Sequence, residues 1–338
     1  MDRDNRPQHG GNRRYWAERN GFRESEMVDL STGINPHGWS VPEIPPEVWQ
    51  RLPEPDPELL GVAADYYGTD MLLPVAGSQA AIQALPRLRP HSRVAVLAPS
   101  YSEHMRGWES AGHDVTTLHR EDIESAISGL DVLIMVNPNN PTGERFSPEL
   151  LLHWHQQLAD RGGWLIVDEA FMDATPEQSL CHLGELRTGL IILRSVGKFF
   201  GLAGVRSGFV FATTQLLKRL DSELGPWSLN HPAQWVTKRA LEDRLWQQEM
   251  RGRLMGDSER LCRVLESVNL TPDGGTMLFQ WAKTPQAAAV ANQMAKQGIL
   301  IRLFDDPSSL RFGLPANKGE WEQLQQALSA IDLLRDVA

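Results

Sequence analysis

Lys198 is the first lysine in a chain that otherwise supplies positive charge through arginine: positions 1–197 hold none, and the sequence has six lysines against 27 arginines. An amine can lose its proton and condense with a carbonyl, whereas a guanidinium stays protonated and does not. Lys198 lies in Ser195-Val196-Gly197-Lys198-Phe199-Phe200-Gly201-Leu202-Ala203-Gly204-Val205-Arg206, directly after an apolar run, with Ser195 and Arg206 placed to act as anion ligands. Three further segments carry chemistry. Ala76-Gly77-Ser78-Gln79 is a small-residue turn opening a helix, where free N–H groups and the helix dipole suit a phosphate. Asn137-Pro138-Asn139-Asn140-Pro141-Thr142-Gly143 follows a second apolar run and has the composition of a rigid turn. Asp168-Glu169-Ala170-Phe171 closes a third, and a carboxylate there is costly to bury without a cation or donor.

The elements that must hold these residues are short apolar runs alternating with amphipathic stretches, the pattern of a mainly parallel sheet covered by helices on both faces. The predicted strands are Val94–Ala98, Asp114–Leu118, Val132–Asn137, Trp164–Asp168, Leu190–Arg194 and Gly208–Ala212. Ser147-Pro148-Glu149 offers an N-cap, a proline at the first helical position and an acid in the first turn. Pro36, Pro42, Pro45, Pro46, Pro53, Pro55 and Pro57 predict an extended connector. A long helical stretch over about 231–267 follows, then strands Ile299–Phe304 and Ser309–Gly313 and a final amphipathic helix. The class is α/β. Residues 1–40 read as an N-terminal arm and small-domain segment, 41–230 as the large domain and 231–338 as a smaller C-terminal α+β domain.

A hydrophobic share of 41% with 22% charged residues is that of a globular protein, and 338 residues suffice for two lobes. The net charge of −10 argues against a nucleic-acid or anionic-membrane surface, so any anionic ligand needs a local cationic cluster. Cys181 and Cys262 are far apart and lack metal-ligand spacing, which implies a reducing compartment and neither a disulfide framework nor a zinc site. With a polar N-terminus and no apolar run long enough for a membrane span, the expected location is the cytoplasm.

Pyridoxal 5′-phosphate needs a lysine for its aldehyde, a carboxylate for its ring nitrogen, donors for its phosphate and a hydrogen bond to its phenolic oxygen. The chain supplies all four in the order phosphate turn, Asn, Asp, Ser-x-x-Lys, Arg. At this point it resembles the fold-type I pyridoxal-phosphate enzymes over nearly its whole length, in the branch that holds histidinol-phosphate aminotransferases and threonine-phosphate decarboxylases. The resemblance implies that Lys198 forms the Schiff base with the cofactor, Asp168 pairs with the ring nitrogen and Asn140 bonds the phenolic oxygen. It also implies that Gly77, Ser78, Gln79, Ser195 and Arg206 hold the phosphate, and that Tyr101 stacks on the ring. A homodimer is implied as well.

Several features resemble the decarboxylases more than the aminotransferases. They are His9-Gly10-Gly11-Asn12, Asp29-Leu30-Ser31-Thr32-Gly33-Ile34-Asn35-Pro36, Pro226-Trp227-Ser228-Leu229-Asn230, and Phe171 where the aminotransferases usually carry tyrosine. The resemblance places His9, Gly10, Gly33, Asn35 and Asn140 at the substrate, although Gly33 stands where the family often has asparagine and offers only its backbone. Arg302 and Arg311 match positions that hold substrate carboxylate or phosphate, and planar guanidinium forks suit either group. The implied reaction is decarboxylation of O-phospho-L-threonine to the aminopropanol phosphate of the cobalamin linker. A histidinol-phosphate-type aminotransferase and a non-catalytic subunit of the cobalamin pathway that keeps this fold remain open.

Overall fold

The computed structural model describes residues 9–183 and 186–331. Its contacts define one compact unit of residues 38–140 with 144–251, and a second from the remaining described residues.

The large unit is built on a seven-stranded sheet in the order Leu72–Val75, Gly208–Phe211, Leu190–Ser195, Trp164–Asp168, Val132–Val136, Arg93–Leu97, Asp114–Leu118. The five strands from Leu190–Ser195 to Asp114–Leu118 run parallel, and Gly208–Phe211 is antiparallel to both its neighbours. Every residue of Val132–Val136 and Trp164–Asp168 is buried, which is why those runs, up to the closing Asp168, are apolar instead of alternating. Val94, Val96, Ile134, Ile166, Ile191 and Leu193 point to one face, where they form a core with Ile82, Trp108 and Leu220. Their strand neighbours Ala95, Leu133, Leu165 and Ile192 are equally buried on the opposite face. The six predicted strands are present with ends shifted by no more than one residue, and Leu72–Val75 is an addition. Its Pro74 hides it from propensity, yet the strand lies at the sheet edge, where a missing N–H is tolerated.

The proline-rich connector differs from expectation. Pro46 and Pro57 open the helices Pro46–Gln50 and Pro57–Tyr67, because the first turn needs no N–H from proline and the Asp56 carboxylate accepts from the Glu58 amide. The stretch predicted as one long helix is two, His231–Glu242 and Arg244–Glu266. Asp243 separates them: its Oδ1 accepts from the Trp246 amide and its Oδ2 from the Trp39 indole. The compact units divide after Arg251 and not at residue 230, since His231–Glu242 packs against Pro57–Tyr67.

The small unit holds an antiparallel sheet in the order Arg302–Phe304, Ser309–Gly313, Phe279–Lys283, Gly274–Thr276. The predicted strand Ile299–Phe304 is shared between two sheets: Ile299–Leu300 pairs in parallel with Val28–Asp29, and Arg302–Phe304 pairs with Ser309–Gly313. That register sets Arg302 directly opposite Arg311.

Candidate active site

Four parallel strands of the large unit deliver their C-terminal ends to one cleft. Arg93–Leu97 leads to Tyr101, Val132–Val136 to Asn140, Trp164–Asp168 to its own last residue, and Leu190–Ser195 to Ser195 and Lys198. Ligands collect at this edge of an open α/β sheet, where successive crossovers leave to opposite sides. Ser78, Gln79 and Arg206 complete the polar lining, with Phe171 beside them.

The Asp168 carboxylate is 3% exposed. Its Oδ2 lies 2.9 Å from His104 Nε2, and its Oδ1 accepts from the Ala170 amide at 3.0 Å. The buried acid is therefore held at both oxygens, as the cost of burying it alone requires. His104 was not singled out from the sequence, although a signal existed: it follows Tyr101 by three residues at the start of Ser102–Ser110, a spacing that puts both on one helix face. The Tyr101 ring meets the His104 ring edge-on at 6.1 Å, and its hydroxyl donates to Gln79 Oε1 at 3.1 Å. Burial, aided by the Glu103 and Asp168 carboxylates, pushes the Tyr101 phenol up to about 12, so it remains neutral.

The asparagine loop divides its labour. Asn137 exchanges two hydrogen bonds with the Phe146 backbone, and Asn139 bonds the Pro99 carbonyl and the Glu144 carbonyl. These two make the rigid turn that the composition suggested, and Asn140 lines the cleft. Lys198 Nζ stands 5.6 Å from the centre of the Phe171 ring. In the turn before the Ser78–Ala84 helix Gly77 has φ +75, and a Cβ there would stand 2.9 Å from Arg206 Nη2. Glycine alone meets both demands, the left-handed backbone and the close guanidinium. Arg206 itself adopts φ 56, a conformation that costs about 1–3 kcal/mol and is retained at functional positions.

Behind Asp168 lies a second network. Arg194 is buried, with Nη1 2.8 Å from Glu169 Oε2 and Nη2 bonded to Asp173 Oδ1. Glu169 also accepts from the Ser179 hydroxyl and from the Leu180 amide at 2.8 Å. Burial opposes the Arg194 charge, but Asp173 and Glu169 outweigh it and hold the guanidinium well above its usual value. Arg194 was not singled out from the sequence, though an arginine closing the run Leu190–Leu193 was the signal. Glu169→Ala is expected to destabilise the protein by about 3–5 kcal/mol, because it leaves a buried guanidinium undercompensated; urea denaturation measures it.

The remaining predicted residues belong to the small unit. Asn35 is buried and its Oδ1 accepts from the His37 amide at 2.8 Å. Gly33 is buried, Gly10 half-buried and His9 exposed. Arg302 and Arg311 face each other across adjacent strands. Arg311 is 6% exposed, and its Nη2 donates to the Ser31 carbonyl at 2.7 Å. Burial, then repulsion from Arg302, pushes the Arg311 guanidinium down to about 9, with Asp29 opposing. Like charges directly opposite across a strand pair are destabilising, and an anion between them removes the conflict.

A threonine-phosphate decarboxylase of Pseudomonas aeruginosa is 50% identical over 321 residues, covering 95% of this chain and 97% of that protein. One from a Sinorhizobium species is 40% identical over 96% of this chain and 98% of its own length. The fold is that of the histidinol-phosphate aminotransferase of Sinorhizobium meliloti, solved with pyridoxal-5′-phosphate: TM-score 0.81, 19% identity, 99% of this chain and 97% of that one covered. The family described as aminotransferase class I and II matches residues 25–331. The chain belongs to the class I and II aminotransferase family.

Proposed function

We propose that the protein is a pyridoxal 5′-phosphate-dependent decarboxylase that converts O-phospho-L-threonine to CO2 and (R)-1-amino-2-propanol O-phosphate, the aminopropanol unit of cobalamin. The cleft fits the cofactor: a buried carboxylate held by His104, a lysine, and a glycine cradle under Arg206 that a Cβ would fill. Bound there, the cofactor supplies an aldehyde that condenses with amines and a ring that accepts the electron pair released at the substrate Cα. Asp168 would keep a proton on the ring nitrogen, and Asn140 would bond the phenolic oxygen. The backbone of Gly77, Ser78 and Gln79, with Ser195 and Arg206, would hold the phosphate, and Tyr101 would stack on the ring. Lys198 would hold the aldehyde until the substrate amine takes its place and would then be free to return a proton to the substrate Cα.

The observation that carries the substrate reading is the Arg302–Arg311 pair. Two facing guanidiniums suit a substrate with two anionic groups, and phosphothreonine has a carboxylate and a phosphate. Histidinol phosphate has only the second. His9, Gly10, Gly33 and Asn35 complete the substrate contacts in this reading. Arg311→Lys is expected to raise KM about 10- to 100-fold, the worth of a charge-assisted hydrogen bond. The charged form binds the anion, so once the phosphate is fully a dianion its affinity for the cofactor-loaded protein falls as pH rises through about 9, where Arg311 loses its proton. In Arg311→Lys the fall moves to lower pH, because an ammonium starts from a lower ordinary value and is more strongly hydrated.

The deciding experiment mixes protein, cofactor and O-phospho-L-threonine and records CO2. Release supports decarboxylation; a normal cofactor spectrum without CO2, and turnover only with keto-acid acceptors, identifies an aminotransferase.

The reading includes a cytoplasmic homodimer without nucleic-acid or membrane partners. Trp49 and Leu52, exposed at 63% and 65% on the large unit, suit a second copy of the chain. Among the described residues no helix is long and apolar enough to cross a membrane.

A further inference from the structure

Within the small unit, Ser31 joins the N-terminal arm to Arg311. Its carbonyl oxygen accepts from Arg311 Nη2 at 2.7 Å. Its hydroxyl donates to Asp29 Oδ1 at 2.5 Å and accepts from the Gly11 amide at 2.7 Å, and its own amide donates to Asp29 Oδ1 at 2.9 Å. Ser31 is 5% exposed; its bond to Arg311 is buried, and those to Asp29 and Gly11 are half-buried. A hydroxyl has one proton and two lone pairs. Asp29 accepts its hydrogen bond, which fixes the rotor and aims a lone pair at the arm.

The arm meets the same residue a second time. A Cβ on Gly10 would stand 2.3 Å from the Ser31 carbonyl oxygen, the atom that holds Arg311. Gly11 at φ +90 and Asn12 at φ 61 then turn the chain into the Arg13–Asn20 helix. Displacing the arm therefore frees one side of Ser31, and moving Ser31 moves the acceptor that orients the guanidinium.

We propose that Ser31 is a positioning residue that couples the seating of the His9–Asn12 arm to the orientation of Arg311, so that the two engage a substrate anion as one unit. The inference rests on reading Arg311 as an anion ligand. Ser31→Ala removes the arm's acceptor and leaves the carbonyl for Arg311; Ser31→Thr keeps the hydroxyl. Gly10→Ala strikes the carbonyl while Ser31 is intact, and serves if Ser31→Ala does not fold.

The test uses the full-length, cofactor-loaded protein. KM for O-phospho-L-threonine rises about fivefold to tenfold in Ser31→Ala, the worth of one neutral hydrogen bond, and returns to within about twofold in Ser31→Thr. Coupled residues are non-additive, so Ser31→Ala adds less than about twofold to the KM of Arg311→Lys. Inorganic phosphate slows amide exchange at Gly10–Asn12 in the wild type and in neither Ser31→Ala nor Arg311→Lys; a merely structural serine would not link exchange in the arm to phosphate. An increase in the double variant equal to the product of the two single increases overturns the coupling. So does an unchanged KM in Ser31→Ala and Gly10→Ala with a raised KM in Arg311→Lys, and that result leaves the anion reading standing. An unchanged KM in Arg311→Lys overturns both.

Discussion

Lys198→Ala is expected to abolish the visible absorbance of covalently held cofactor and to lower CO2 release by roughly 10⁴-fold, the upper end of what a positioned proton donor contributes, since the covalent anchor disappears with it. Folding is expected to survive. Lys198 is half-buried, and its side chain lies over Phe171 outside the Glu169–Arg194–Asp173 network that ties the strand ends together. A change within about 0.5 kcal/mol is what a substitution away from buried networks produces. The Gly77–Gln79 turn and Arg206, the proposed phosphate ligands, are untouched, so the variant is expected to bind the cofactor without bonding to it. Equilibrium dialysis separates that retained binding from the lost spectrum. CO2 release at wild-type rate from the alanine variant would remove Lys198 from the reaction altogether.

Asp168→Asn is the second large effect, a loss of roughly 10²–10³-fold in kcat, comparable to deleting one preorganised electrostatic contact in an active site. The amide is isosteric, and its oxygen can go on accepting from the Ala170 amide. Its nitrogen then faces His104 Nε2, where a carboxylate oxygen stood, and the imidazole must change from donor to acceptor at that atom. Shape is kept and the negative charge is lost, so the ring nitrogen no longer has a partner that holds its proton. The visible spectrum and kcat should both become pH-dependent in the range where the wild type is flat, with KM nearly unchanged. A fall in thermal stability with kcat unchanged would instead assign Asp168 a packing role.

The residues that line the cleft were legible because each sits at a punctuation point of the sequence. Asp168 and Lys198 follow apolar runs, and Asn140 lies in a turn whose proline and glycine content marks it without any partner being known. The predicted strands of the large sheet were legible for the same reason: a strand buried on both faces must be apolar throughout. The Leu72–Val75 strand was not, because its tolerance of Pro74 depends on being at an edge, which is a property of the sheet and not of the segment. Nor was the break at Asp243, where a side chain that caps one helix is also claimed by the Trp39 indole, more than 200 residues away in the chain.

By itself the sequence determined the class of fold, the six predicted strands of the large sheet and the residues of the turns that meet at the cleft, since these follow from residue type, periodicity and local turn chemistry. Tertiary structure alone decided that His104 grips Asp168, that Glu169 and Asp173 share Arg194, that Arg302 stands opposite Arg311, and that Ser31 touches both Arg311 and the arm. Each of these joins groups distant in sequence through burial or strand register. Pair energies of that kind arise only when the folded chain removes both partners from water and places them within a hydrogen bond of each other.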